Sequence, residues 1–352
     1  MELQIAVTGM HLSPEFGTTA NQIEQDGFTI TARVETLVSS DTAVGVAKSV
    51  GLGVLGFADA FDRLAPDMVI VLGDRFEILA AVQAALFAKI PVAHLAGGDL
   101  TEGAIDDSIR HAITKMAHLH FATNSEAARR LIQLGENPGN VFTVGSTGID
   151  NILQTVLLSR SDIEEQLGFK LRKKNLLVTF HPPTLSEISA PEQFDRLLQA
   201  LSRADADTGL IFTHSNADAE GRKLTSMIED FVSDHENAVA FASLGQVRYL
   251  SLMALVDAVV GNSSSGLYEA PSLKKPAVNI GDRQKGRLQA ASVVNCVTEP
   301  EAIWQAIQRA LSLDCSLVEN PYGDGASSRR IIEILKSYQA PENLVRKSFH
   351  ER

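Results

Sequence analysis

At four places along the chain an apolar run stops and a cluster of acids, bases or hydroxyls begins at once. The run Val69–Leu72 ends in Gly73, and Asp74 and Arg75 follow directly. An arginine so placed suits bidentate contact with a phosphate while the neighbouring aspartate faces a sugar. The plainer alternative is a turn in which Asp74 caps a helix starting near Glu77. The segment His94–His111 passes through Gly97-Gly98 into an acidic helix start. There Asp106 and Arg110, four residues apart, share a helix face. Beside them Ile105, Ile109, Ala112, Ile113 and Met116 are predicted to form a buried stripe. An exposed ion pair, with acids favoured at the helix start by the macrodipole, is the alternative. His181 ends the run Val178–Phe180, and Pro182 and Pro183 forbid its continuation. A histidine there is either structural or a proton-transfer group. Last, Ala258–Gly261 leads through Asn262 into Ser263-Ser264-Ser265 and a helical segment. Helix-start amides with three hydroxyls make an anion cradle suited to a diphosphate. Glu269, one turn into that helix, is placed to accept hydrogen bonds from a ribose diol; a serine-capped helix is the alternative. The loop Gly281–Arg287 supplies Arg283, Lys285 and Arg287 to offset diphosphate charge.

These groups must be positioned by the elements around them. Short apolar runs alternate with longer helical patterns, the sequence form of βαβ units around a parallel sheet. Strands are predicted at Leu3–Thr8, Asp67–Leu72, Val92–Leu95, His120–Thr123 and Val141–Val144. A second set is predicted at Asn175–Phe180, Gly209–Thr213, Ala238–Phe241, Ala258–Val260 and Ala277–Ile280. Most are continuous apolar runs, as expected of strands covered on both faces. Helices are predicted at Glu77–Lys89, Ser108–His118, Ser125–Leu134, Gln193–Ala204 and Glu220–Ser233. The expected organisation is two Rossmann-like α/β domains, over 1–155 and 156–352. In such sheets ligands bind outside the carboxyl ends of the strands, where all four clusters lie. Gly51-Leu52-Gly53-Val54-Leu55-Gly56 matches GxGxxG but sits inside a helical stretch from Asp41 to Leu64, without the preceding strand that a dinucleotide fingerprint requires.

Composition narrows the functions further. The 352 residues carry 31 Lys+Arg against 43 Asp+Glu, a formal charge of −12. That acidity argues against a nucleic-acid partner, yet leaves room for a small anionic ligand held by a local arginine cluster. The segment Met1–Ile5 lacks the pattern of a secretory signal, and no apolar run approaches the ~20 residues of a membrane span. Two cysteines, Cys296 and Cys315, make no disulfide framework. The expectation is a cytoplasmic protein with no membrane partner. No zinc spacing, GxxxxGK[ST] loop or Gx-Ser-xG elbow is present.

Gly73-Asp74-Arg75, the segment ending Ile105-Asp106-Asp107-Ser108-Ile109-Arg110-His111, Phe180-His181-Pro182, Gly261-Asn262-Ser263-Ser264-Ser265-Gly266 and Asn320–Gly325 together resemble the hydrolysing UDP-N-acetylglucosamine 2-epimerases, particularly those of bacterial sialic acid synthesis. The resemblance runs in order along essentially the whole chain. It implies a GT-B fold, with UDP on the second domain, the sugar in the interdomain cleft and a last helix near Ala326–Tyr338 that returns to the first domain. It implies elimination of UDP to a glycal followed by hydration to N-acetylmannosamine, with no metal or NAD cofactor. Asp74 and Asp106 become the acid/base candidates, with Arg110 and His181 in the same pocket. Arg75, Ser263, Ser264, Glu269 and Arg283 would hold UDP, and a homodimer or homotetramer is implied. Two departures qualify this. Ala96 stands in the loop after His94 where the family pattern has glutamate, with Asp99 nearby, which makes room for a less polar substrate. UDP-2,4-diacetamido-2,4,6-trideoxyglucose of legionaminic acid synthesis is therefore a second substrate expectation. The family pattern also opens with a strand and an Arg-x-Asp/Glu-Tyr turn ahead of Val7–Leu12. On this reading Met1 is an internal start, and roughly 30 residues with a central strand are missing, which would leave neighbouring amides unpaired. A non-catalytic UDP-binding protein is the expectation from another class.

Overall fold

The computed structural model describes residues 1–14, 18–38, 42–100, 105–182, 188–214 and 221–351. Thr101–Ala104, Pro183 and the predicted helix ends Asp41 and Glu220 lie outside them. The chain divides into two compact units, Met1–Ser146 with Ala326–Arg352, and Thr147–Gly325. The division thus falls before residue 155, and the last segment belongs with the first unit.

In the first unit β1 (Ile5–Thr8), α1 (Ala20–Gln25), β2 (Ile30–Val34) and α2 (Ala43–Leu64) come first. They are followed by β3 (Val69–Leu72), α3 (Phe76–Phe87), β4 (Val92–Leu95), α4 (Ile105–Met116), β5 (Leu119–Ala122), α5 (Ser125–Gln133) and β6 (Val141–Thr143). The strands form two parallel ladders, β1-β2 and β3-β4-β5-β6, so one side of β3 and one side of β1 have no ladder partner among the described residues. On β3 the apolar Ile70 and Leu72 are 52% and 58% exposed, whereas every residue of β5 is buried. β2 escaped prediction because Thr31 and Arg33 alternate with buried Ala32 and Val34, the signature of a strand covered on one face only.

An 18-residue window of the 22-residue α2 has a mean hydropathy of 1.4, so by length and composition alone the helix could span a membrane, contrary to the expectation that no run approaches that length. Its glycines explain why it is a packing helix. A Cβ at Gly53 would lie 2.7 Å from the Ala80 methyl on α3, and one at Gly56 would lie 2.6 Å from Val34. The GxGxxG match is thus a close-packing seam. Phe57, Ala60 and Phe61 complete its buried stripe against Ala32, Ala81 and Ala84.

The second unit opens with α6 (Thr147–Gln154), α7 (Arg160–Leu167), β7 (Lys174–Thr179), α8 (Ala190–Leu201), β8 (Thr208–Thr213) and α9 (Gly221–Asp234). Then come β9 (Ala238–Phe241), α10 (Gly245–Leu255), β10 (Ala258–Gly261), α11 (Ser265–Tyr268), β11 (Ala277–Ile280), β12 (Val293–Cys296) and α12 (Pro300–Leu311). One parallel sheet results, ordered β12-β11-β10-β7-β8-β9. Successive β7 residues serve opposite cores: Leu176 and Val178 pack with α8 and α12 residues, and Leu177 packs with Ile163 and Leu252. Coverage on both faces is what made these strands legible as continuous apolar runs. The order reverses between β7 and β10, so the crevice of this sheet lies at their carboxyl ends. The unpredicted β12 is an edge strand with an exposed Asn295.

After the second unit, α13 (Ser327–Ser337) buries Ile331 and Leu335 against Phe121 and Val144 of the first. The tail beyond it is pinned by Lys347, whose ammonium donates to the carbonyls of Thr114, Lys115 and Ala117 at 3.1, 3.0 and 2.7 Å. Thr114 and Lys115 lie in the last turn of α4 and Ala117 follows it directly, where a helix cannot satisfy its carbonyls internally. Lys347 also reaches the buried Glu136 carboxylate at 2.6 Å, as does Lys115, and His120 Nε2 lies 2.8 Å away. Those three donors hold Glu136 down to about 2 against the cost of burial.

Burial holds His94 and His118 near 4 and lowers His120 as well, so all three are neutral in the fold at pH 7. Unfolding frees them to protonate below their ordinary 6.5. The stability they contribute is complete above pH 6.5 and drains as pH falls toward 4; that of Glu136 begins to drain below 4.5. Urea titrations should therefore show stability falling from pH 7 to 5 and falling further below 4.5. Glu136→Gln should cost about 3 kcal/mol at pH 7 and flatten the acid limb. A pH-independent midpoint between 7 and 4 would contradict this account.

Candidate functional site

The first unit gathers its chemistry around one buried cation. Arg110 of α4 is 7% exposed. Its Nη2 bonds to Asp74 Oδ2 in the turn after β3, its Nη1 donates to the Asp99 carbonyl at 2.6 Å, and Asp107 Oδ1 lies 3.6 Å away. A buried guanidinium needs a carboxylate, and the turn after β3 supplies it. Asp74 is therefore not the helix cap: Arg75 occupies that position and makes no side-chain cap bond. The Asp99 carboxylate accepts from Thr123 Oγ1 at 3.0 and 3.1 Å and from Asn124 Nδ2 at 3.3 Å. Burial raises the Asp99 carboxyl above its ordinary range, with Thr123, Arg110 and Asn124 working against the rise. His94, inside β4 and fully buried, lies 2.9 Å from the Gly73 carbonyl through Nε2. A carbonyl only accepts, so Nε2 carries the proton and Nδ1 faces Thr114 Oγ1 at 3.4 Å. His94 thus fixes the turn that presents Asp74.

This arrangement corrects the expected stripe on α4. Ile105 is 77% exposed and Ala112 is exposed, while Arg110, Ile113 and Thr114 face inward. Pairing with Asp74 rotates the polar Arg110 toward the sheet and turns Ile105 out. Asp106 sits half-buried in the first turn, and it is Asp107 that faces both Arg110 and, at 3.5 Å, His111 Nε2. Arg75 also belongs to this unit, with Nε 3.4 Å from the buried Glu77 and its guanidinium 5.5 Å from the Phe76 ring centroid.

The second unit holds the other predicted residues, His181, Ser263, Ser264, Glu269 and Arg283, at the β7/β10 crevice. Gly261 has φ 142, and a Cβ there would lie 1.9 Å from the Thr179 carbonyl, so only glycine lets β10 end this close to β7. Next to it, Asn262 works as a clamp. Its Oδ1 accepts from the His181 amide at 2.7 Å and its Nδ2 donates to the His181 carbonyl at 2.8 Å. Its own carbonyl accepts from Arg283 Nη1 at 3.1 Å and Gln284 Nε2 at 2.8 Å. One asparagine therefore locates the histidine, the serine turn and the cationic loop.

Of the three hydroxyls, Ser265 is turned inward, 2.7 Å from Tyr249 Oη and 3.2 Å from Ser263 Oγ. Ser263 and Ser264 remain half-buried at the turn. The helix α11 is only four residues long, so Glu269 is the residue at its end. Burial raises the Glu269 carboxyl, and its Oε2 has no hydrogen-bond partner among the described residues. A buried carboxyl oxygen left so can accept a donor from outside the chain. Behind the turn, Asn320 Nδ2 donates to the Tyr268 carbonyl at 2.8 Å and Tyr322 packs against Tyr268, with centroids 4.9 Å apart and rings tilted by 43°.

The first unit can thus move protons with carboxyl groups set around a cation, and the second can take an anion and a diol. Among the described residues no three His, Cys, Asp or Glu side chains gather into a metal-holding group. Asp99 and Asn262 are the main additions to the predicted residues. Asn262 lay inside a quoted motif, but its clamping role depends on β7 and β10 being neighbours, which spacing along the chain does not disclose.

A family model described as UDP-N-acetylglucosamine 2-epimerase matches residues 1–336. A Campylobacter jejuni protein named GDP/UDP-N,N'-diacetylbacillosamine 2-epimerase (hydrolyzing) is 43% identical over 84% of this chain and 77% of its own. A Legionella pneumophila UDP-N,N'-diacetylbacillosamine 2-epimerase (hydrolyzing) is 34% identical over 99% and 91%. The crystal structure of Neisseria meningitidis UDP-GlcNAc 2-epimerase bound to UDP-GlcNAc superposes with a TM-score of 0.78 at 19% identity, covering 95% of this chain and 91% of that one. The fold is GT-B.

The clamp is directly testable. Asn262→Ala removes two buried hydrogen bonds and should lower the unfolding free energy by about 2 kcal/mol. It should also loosen the retention of a nucleoside diphosphate in equilibrium dialysis. Unchanged stability together with unchanged retention would contradict the clamp.

Proposed function

Since the chain belongs to the UDP-N-acetylglucosamine 2-epimerase family, we propose that it is a hydrolysing UDP-sugar 2-epimerase whose substrate is UDP-2,4-diacetamido-2,4,6-trideoxyglucose. The observation that carries the reaction type is Arg110, which draws Asp74 and Asp99 to one point beyond the carboxyl ends of β3 and β4. A 2-epimerisation with loss of UDP needs one group to take the proton from C2 and one to return it. Asp74, paired with Arg110, is the base. As the C2–H bond breaks, its electron pair forms the C1–C2 double bond and the C1–O bond breaks toward the diphosphate. Charge developing on the leaving UDP is met by Arg283 and by the turn at Ser263 and Ser264, while Glu269 Oε2, without a hydrogen-bond partner among the described residues, takes the ribose hydroxyls. Water then adds hydroxyl to C1 of the glycal and a proton is delivered to C2 from the other face. Asp99, whose burial favours the protonated form, suits that delivery, with Asp106 in reserve. UDP and the free C2-inverted sugar result, with His181 and Arg75 as further contacts to the substrate.

The substrate assignment is supported by the names of the Campylobacter and Legionella relatives and by Ala96. That residue stands at φ 61 directly after β4 with only a methyl group to offer. UDP-N-acetylglucosamine, converted to N-acetylmannosamine, is the second reading. It is favoured by a Neisseria meningitidis UDP-N-acetylglucosamine 2-epimerase 28% identical over 96% of the chain.

Incubation with each sugar nucleotide in deuterated water should release UDP and a free sugar carrying deuterium at C2, with the larger kcat/KM for the diacetamido substrate. Asp74→Asn and Asp99→Asn should each slow turnover by about 100- to 10,000-fold with UDP affinity nearly unchanged. Arg283→Ala should chiefly weaken UDP binding. Retention of UDP without sugar release by the unaltered protein would leave a binding protein and end the catalytic reading. Near-normal rates in both aspartate variants would end the residue assignment.

A further inference from the structure

The amino ends of the first unit's strands, at the opposite edge of the sheet from Asp74, carry a second polar site. A cleft of about 150 Å³ opens there beside His118, Glu136, Asn137, Asn140, Arg346 and Lys347. Three segments meet in it: the residue leading into β5, the turn between α5 and β6, and the tail that follows α13.

The polar groups of the cleft are set up as donors. His118 is 5% exposed, and its Nδ1 accepts the Val92 amide at 3.1 Å. The neutral ring therefore carries its proton on Nε2. Asn137 Oδ1 is occupied by the Gly139 amide at 2.9 Å, which leaves its NH₂ as the available group. Asn140 makes no side-chain hydrogen bond among the described residues, and Arg346 pairs there with no carboxylate. The single acid, Glu136, is already shared by Lys115, Lys347 and His120 at 2.6, 2.6 and 2.8 Å. Its charge is more than compensated, and it has little capacity left for a cation. In a chain of formal charge −12, a cleft that offers donors and surplus positive charge is chemically selective for an anion.

We propose that this cleft binds a small oxyanion of the phosphate type, either free phosphate or the phosphoryl group of a small metabolite. Arg346 and His118 are its charged and neutral anchors, and the two asparagines close over it. Arg346 lies on the tail and His118 on the sheet, so the bound anion ties the tail to the unit that Lys347 already pins. The stability of the first unit then rises with anion concentration. This inference does not depend on the reaction proposed above.

Thermal unfolding in about 10 mM inorganic phosphate, compared with chloride at matched ionic strength, tests it. A midpoint rise of about 2 °C is expected for millimolar affinity. Arg346→Gln removes an exposed anchor without touching the core and should abolish the rise. His118→Asn should abolish it too, because the asparagine oxygen can still accept the Val92 amide while the Nε2 donor is gone. Arg283→Ala should keep it. A larger rise with glucose 6-phosphate than with phosphate assigns the site to phosphorylated metabolites; an equal or smaller one assigns it to the free ion. The proposal fails if phosphate gives no rise beyond chloride, if Arg346→Gln keeps the full rise, or if Arg283→Ala alone removes it, which would locate the anion in the second unit.

Discussion

A guanidinium withdrawn from water has to be met by negative charge, and much of the arrangement beyond the carboxyl ends of β3 and β4 follows from meeting that demand at Arg110. The carboxylate comes from Asp74, which cannot then cap α3; the carbonyl comes from Asp99, which fixes the loop after β4. The same demand sets the rotation of α4, placing a charged side chain inward and Ile105 outward. Supporting bonds extend the arrangement: His94 steadies the Gly73 carbonyl, and Thr123 and Asn124 steady the Asp99 carboxylate. A polar surface assembled this way is stiff because each member is needed to satisfy another.

The second unit solves a related problem with neutral groups. Asn262 fastens two strand ends and a loop by four hydrogen bonds, and the missing Cβ of Gly261 lets those strand ends approach. The charged groups at this crevice include Arg283, which donates to the Asn262 carbonyl, and the buried Glu269. The clamp holds the histidine, the serine turn and the cationic loop in one fixed arrangement.

How much of this could be read from the sequence depended on how each element is buried. Strands covered on both faces, such as β7, β8, β10 and β11, announced themselves as apolar runs. The one-sided β2 and the edge strand β12 did not, because residues such as Thr31, Arg33 and Asn295 interrupt them. Rejection of the glycine motif at Gly51–Gly56 rested on helical context, and the seam against Ala80 gives its physical basis. The stripe on α4 went wrong at Ile105 because periodicity ranks side chains by hydropathy and cannot see that Asp74 waits across the sheet for Arg110. Asp99 was noticed only as a neighbour of Ala96. Its importance comes from Thr123 and Asn124, which follow β5 and become adjacent only once β4 and β5 pair.

The open sides of β1 and β3 bear on how the molecule behaves in company. A strand edge without a ladder partner among the described residues, which on β3 carries the exposed Ile70 and Leu72, is a template on which another extended segment can add. Crowding many copies together multiplies encounters with such an edge, so any pairing of copies at it would grow with protein concentration and relent when a short competing β-peptide is supplied.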